Sequence, residues 1–166
     1  MITTGAEILS LLFSLFLSLA IVVQAAKEGR AFRCGSKTQM AGKAAVILPI
    51  KGLDPGLEST LSSLESQDYN EKEIYVVVDS PEDPAIEVVS RHNVKIMLSE
   101  WPCKNCSGKV AAILTALRKI QADYYVFADS DTVYPKGWLR CMLSLVEPKR
   151  SVATTFSWPA PVRSTL

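Results

Sequence analysis

At 166 residues and a formal net charge of +1, the chain has room for one domain of ordinary size and no basic stripe suited to a nucleic-acid partner. Apolar residues make up 48% of it, close to the globular average, which excludes wholesale disorder. Its nine prolines and eight glycines fall mostly between apolar runs, where they punctuate folded elements.

The first element is an apolar run, residues 8–26, without a formal charge. A helix of that length, at about 1.5 Å per residue, spans roughly 28 Å, close to the hydrocarbon thickness of a bilayer. A cleaved signal peptide is the rival reading, because Val23-Gln24-Ala25 resembles a small-residue cleavage site. Residues 1–7, however, carry no Lys or Arg, where a signal peptide wants them. The basic residues follow the span: Lys27, Arg30, Arg33, Lys37 and Lys43, against the single acid Glu28. By the positive-inside bias, residues 1–26 are expected to be a single-pass anchor in the cell membrane, 27–43 a basic juxtamembrane linker, and 44–166 a cytoplasmic domain. Ser10, Ser14 and Ser18 recur every fourth residue, either as a face for another helix or as serines tolerated in a Leu-rich span.

Beyond the linker, short apolar runs alternate with amphipathic stretches. Residues 44–50 form a continuous apolar run of the kind found in buried parallel strands. Leu57, Leu61 and Leu64 then recur at helical spacing, predicting a helix over 55–67 with Pro55 in its first turn. Strands are expected at 74–78, 94–98 and 124–128. Helices are expected at 83–92, at 137–146, and along the face of Val110, Ile113, Leu114, Leu117 and Ile120, introduced by Ser107-Gly108. A last β-prone stretch covers 151–156. Strict alternation of this kind means an α/β fold, with a mainly parallel sheet and crossover helices on its faces.

Four cysteines must be weighed against a reducing compartment, where disulfides are not expected. Cys103 and Cys106 make one CxxC pair, but structural zinc takes four ligands and the sole histidine is His92, so incidental thiols in a loop are the better reading.

In a parallel α/β sheet, ligands bind beyond the carboxyl ends of the strands. The residues at those ends are Pro49-Ile50-Lys51-Gly52, then Asp79, then the loop to Lys109, then Asp129-Ser130-Asp131. Two carboxylates flanking one residue on an extended turn suit a hard cation such as Mg²⁺ or Mn²⁺, which also bridges phosphate oxygens. A solvated turn with capping aspartates is the plainer alternative. Asp79 could accept from a base or ribose, or simply start a turn. Lys109, beside a helix N-terminus, suits a diphosphate, though a solvated first-turn lysine has the same appearance. Residues 126–133 also fit the signature of haloacid-dehalogenase-type phosphatases, in which the first Asp is a nucleophile. That motif opens its domain, whereas here several strand–helix units precede it.

A more specific likeness comes from longer runs. Pro49-Ile50-Lys51-Gly52-Leu53-Asp54-Pro55-Gly56-Leu57, Leu61-Ser62-Ser63-Leu64 and Gln67-Asp68-Tyr69 closely resemble the opening of family-2 glycosyltransferases of the ceramide glucosyltransferase type. Asp79 followed by Asp83-Pro84-Ala85, Gly108-Lys109-Val110, and Phe127-Ala128-Asp129-Ser130-Asp131 with Pro135 and Trp138-Leu139 downstream resemble later parts of the same family. The similarity runs from about residue 45 to 156 with spacing preserved.

The resemblance implies the Rossmann-like nucleotide-sugar-binding half of a GT-A fold behind a transmembrane helix. It implies a nucleotide-diphosphate sugar donor, UDP-sugar foremost, a Mg²⁺ or Mn²⁺ cofactor, and inverting transfer to a lipid or membrane-proximal acceptor. Asp79 and Asp83 match the family's first acidic site near the nucleotide, with Pro49, Lys51 and Lys109 as companions. Asp129 and Asp131 match the metal and diphosphate site. The family's third acidic residue, the base that inverting transfer needs, and its (Q/R)xxRW motif have no counterpart before Leu166. The expectation is therefore a partial domain: a gene fragment, a chain completed by a second chain, or a truncated, non-catalytic nucleotide-binding module.

Overall fold

The computed structural model describes residues 4–31, 41–100 and 105–146, in two compact units, residues 1–36 and 37–166. In the first unit, α1 (Thr4–Ala31) is one continuous helix. Within it Glu7–Gln24 is long and apolar enough to cross a membrane, with a mean hydropathy of 2.1. Its large side chains, from Ile8 to Val23, are exposed on every side, as in a helix with no amphipathic seam.

The second unit alternates β1 (Ala44–Ile50), α2 (Leu57–Glu65), β2 (Lys72–Val78), α3 (Ala85–Val89), β3 (Lys95–Leu98), α4 (Gly108–Lys119), β4 (Tyr124–Phe127) and α5 (Trp138–Ser144). Among the described residues all strand pairings are parallel, and the order across the sheet is β3-β2-β1-β4. This is the α/β architecture expected from the alternation of elements. The expected helix at 83–92 contracts to Ala85–Val89, because the chain turns at His92 and Asn93 to meet Glu65. The β-prone stretch at 151–156 lies outside the described residues.

Central position explains the apolar character of β1, which is covered on both faces. Ala44, Val46, Leu48 and Ile50 point to one side, into a core completed by Leu57, Leu61 and Leu64 of α2 and Leu139 and Leu143 of α5. Ala45 and Ile47 point to the other, with Tyr75 and Val77, beneath Ala112 and Ala116 of α4. The period of two in strands and the helical spacing in α2 and α4 are thus read out as two faces of one sheet.

The chain steps outward from β1 to β2 to β3, then crosses back through α4 to place β4 on the far side of β1. A crevice opens where the direction of winding reverses. Pairing of β1 with β2 continues to Ile50 and Val78, whereas pairing with β4 stops at Ile47 and Phe127, followed by Ala128 N–H donating to the Ile47 carbonyl at 3.0 Å. Pro49, two residues beyond Ile47, has no N–H to extend that ladder, so the strands part there.

Cys106 is disulfide-bonded, its partner lying outside the described residues. This departs from the expectation of free thiols. The compartment bears on whether a bond persists, not on whether the backbone brings two sulfurs together.

Candidate functional site

At the carboxyl edge of the sheet lies a cleft of about 320 Å³, lined by Pro49, Ile50 and Lys51 after β1, Asp79 after β2, Gly108, Lys109 and Ala112 of α4, and Asp129, Ser130 and Asp131 after β4. Six of the residues singled out in the sequence, Pro49, Lys51, Asp79, Lys109, Asp129 and Asp131, therefore share one cavity although they span more than half of the domain.

Charge in the cleft is balanced pairwise. Lys51 Nζ lies 3.5 Å from Asp79 Oδ2, and Lys109 is ion-paired with Asp129. All four side chains remain a third or more exposed, so these pairs contribute little to stability and are available for exchange with a ligand. Ser107 accepts a bond from the Val110 N–H and caps α4, whose first residues, Gly108 and Lys109, line the cavity. Gly108 allows a close approach: a Cβ there would stand 3.3 Å from Asp79 Oδ2.

Asp83 is placed differently. Its Oδ2 accepts from the Gly52 N–H at 2.9 Å and its Oδ1 from the Ala85 N–H at 2.9 Å. The carboxylate thus ties the turn after β1 to the start of α3, and it is not among the cleft-lining residues. Gly52 has a φ of 74°, in the left-handed region, which glycine adopts without steric cost.

Four residues to which sequence reasoning gave no site role, Thr60, Ser63, Gln67 and Tyr134, organise the loop carrying the aspartate pair. Thr60 Oγ1 donates to the Ser130 carbonyl at 2.9 Å. Ser63 Oγ accepts from the Tyr134 N–H at 3.0 Å, and the Tyr134 hydroxyl accepts from the Asp129 N–H at 2.7 Å. Gln67 donates to the Pro135 carbonyl and accepts from the Leu139 N–H, both at 2.9 Å. Burial pushes the Tyr134 hydroxyl above its ordinary pKa, keeping it neutral. The available signal was polar side chains at 60, 63 and 67, recurring at helical spacing beside the leucines of α2.

The chain is similar to known proteins in sequence and fold. A stretch of the chain is 28% identical over 82 residues to the ceramide glucosyltransferase of Candida albicans, covering 48% of this chain and 14% of that protein. Among solved structures, it is similar to the mannosyltransferase of Pyrobaculum calidifontis in complex with GDP-Man and Mn²⁺, with a TM-score of 0.51, 25% identity, and coverage of 79% of this chain and 44% of that one. S. aureus TarS matches with a TM-score of 0.49 and 27% identity over 58% of this chain and 18% of that one. The chain thus spans less than half the length of each of these relatives. Its mainly parallel α/β sheet is of the GT-A glycosyltransferase type. The model of "Glycosyl transferase family 21" matches residues 9–164, nearly the whole sequence, and the chain belongs to that family.

Proposed function

We propose that the chain binds a nucleotide-diphosphate sugar, UDP-sugar foremost, and forms the donor-binding part of a metal-dependent, inverting sugar transfer to a lipid or membrane-proximal acceptor. The observation that carries this reading is the convergence of Lys51, Asp79, Lys109, Asp129 and Asp131 on one cleft at the switch point of a parallel sheet. We read residues 1–26 as its membrane anchor, 27–43 as the juxtamembrane linker and the domain from residue 44 as cytoplasmic, on the strength of the apolar α1 and the basic residues after it.

The donor set fits a divalent cation. Asp129 and Asp131 offer two exposed carboxylates one residue apart, while no group of three or more ligating side chains occurs among the described residues. Mg²⁺ and Mn²⁺ commonly take one or two carboxylates and complete their shell with water and phosphate oxygens. The mannosyltransferase relative in complex with GDP-Man and Mn²⁺ points the same way. When bound, such a cation neutralises the charge that develops on a departing nucleoside diphosphate.

The chain's own residues then divide the work. Lys109, beside the first amides of α4, meets diphosphate oxygens and leaves Asp129 to the cation. Asp79 accepts from a donor group of the base or ribose, and Lys51 shifts from Asp79 toward the phosphates. Pro49 ends the β1–β4 ladder and gives the nucleotide its crevice. Asp83, assigned with Asp79 to the first acidic site, acts there by holding the Gly52 turn.

Calorimetric titration of the full chain with a panel of nucleotide-diphosphate sugars, with Mn²⁺ or Mg²⁺ and with chelator, tests this. One UDP-sugar is expected to bind in the metal-containing buffer and to lose that affinity with chelator or in Asp131→Ala. Equal affinity in all three conditions refutes the reading. Donor binding without transfer to any acceptor selects the non-catalytic alternative, in which a second chain completes the active site.

A further inference from the structure

Thr60 and Ser63 on the core side of α2, and Gln67 just beyond its end, are 0%, 8% and 4% exposed, beside leucines that are fully buried. Buried hydroxyls and amides are costly unless bonded, so their partners show what they are for. Thr60 takes the carbonyl of Ser130, the residue between the two aspartates. Ser63, itself fixed by donating to the Thr60 carbonyl at 2.7 Å, takes the Tyr134 N–H, and Tyr134 in turn takes the Asp129 N–H. Gln67 clamps the far end of the loop through Pro135 and Leu139.

Residues 128–137 carry no helix or strand pairing of their own to set their path. Past the Ala128 N–H bond to the Ile47 carbonyl, their backbone is tied by α2, some 70 positions earlier in the chain, at Ser130 and Tyr134, and by Tyr134 to Asp129. The hold grips the peptide group that precedes each aspartate: the Asp129 N–H, taken by Tyr134, and the Ser130 carbonyl, which precedes Asp131 and is taken by Thr60. A cation gripped by two carboxylates is sensitive to displacements of about half an ångström.

We propose that Thr60, Ser63 and Gln67 are positioning residues that set the separation and aim of the Asp129 and Asp131 carboxylates, and thereby the cation-supported part of diphosphate binding. The proposal rests on the reading of the cleft given above. It assigns α2, which contributes no side chain to the cleft, a direct effect on affinity there.

The test uses the full chain in detergent, titrated calorimetrically with UDP in Mn²⁺ and in chelator, for wild type, Thr60→Val and Thr60→Ser. Loss of one buried hydrogen bond to the loop is expected to lower the ratio of the two affinities about tenfold in Thr60→Val, while Thr60→Ser keeps it within about twofold. A role confined to packing α2 would lower the melting temperature and leave the ratio unmoved. An unchanged ratio in Thr60→Val, or an equal fall in Thr60→Ser, overturns the proposal. Ser63→Ala runs in parallel and decides the matter should Thr60→Val fail to fold: a lowered ratio supports the proposal and an unchanged one overturns it. Absence of Mn²⁺ dependence in the wild type refutes the reading of the cleft itself, a result distinct from either.

Discussion

The Gly52 N–H donates to Asp83 Oδ2 at 2.9 Å, joining the turn after β1 to the start of α3 across 31 positions of sequence. Gly52 sits at a φ of 74° with no atom near its missing Cβ, so an alanine there meets backbone strain and no clash. Gly52→Ala is expected to cost about 1 kcal/mol in chemical denaturation. Asp83→Ala leaves two amides without their acceptors and is expected to cost about 2 kcal/mol, with little change in metal dependence of UDP binding. A loss of metal dependence in Asp83→Ala, without loss of stability, would place that carboxylate in ligand binding instead.

Lys109 and Asp129 form an exposed ion pair, which makes the lysine a competitor for any cation that Asp129 receives. Lys109→Met is expected to have opposite effects on two ligands. Mn²⁺ alone binds more tightly, and UDP in saturating Mn²⁺ binds about tenfold more weakly, because a charge-assisted bond to the diphosphate is gone. Calorimetry with each ligand separately reads both signs. Weakening of both would show that Lys109 supports the metal site rather than competing with it.

His92 links the turn after α3 to α2: its Nδ1 lies 2.9 Å from Glu65 Oε2, and its Nε2 lies 3.3 Å from Glu58 Oε1, an ion-pair contact short of hydrogen-bond geometry. Burial alone would lower the His92 pKa, but Glu65 and then Glu58 outweigh it, and the net shift is upward from 6.5. Burial likewise opposes ionisation of Glu65, and His92, the Asn93 N–H and Lys72 reverse it, lowering that pKa from 4.5. A raised histidine contributes stability in full below its unfolded pKa and loses it as pH rises through the folded value. A lowered carboxylate contributes above its unfolded pKa and loses it as pH falls through the folded value. The pair therefore stabilises most between about pH 4.5 and 6.5. Melting temperature against pH is expected to fall on the alkaline side in wild type and to be flatter there in His92→Gln.

Leu61 is fully buried in the core between β1, α2 and α5, and its side chain is wholly apolar. Leu61→Ala is expected to cost about 3 kcal/mol by denaturant unfolding. Since Leu61 stands next to Thr60, its measured effect on the metal dependence of UDP binding also calibrates how far a general loosening of α2 reaches the aspartate loop. That effect is expected to be smaller than the effect of Thr60→Val, which removes the bond to Ser130 directly.

The alternation of strands and helices, the two-sided burial of β1 and the chemistry at the strand ends were all legible in the amino-acid sequence. Each is a local matter of apolar period and of the residue that follows a run, as with Ile47 and Leu48 facing opposite ways or Asp79 following Val78. The membership of one cleft by Pro49, Lys51, Asp79, Lys109, Asp129 and Asp131 was not local. It depends on β4 pairing with the far side of β1, a choice among sheet orders that no single segment encodes. The same limit hid the attachment of Asp83 to Gly52 and of Thr60 to Ser130. Their side chains look like ordinary turn and helix residues until packing brings together peptide groups 31 and 70 positions away. Local pattern selects the elements, whereas partners for buried polar groups are assigned only when the whole core closes.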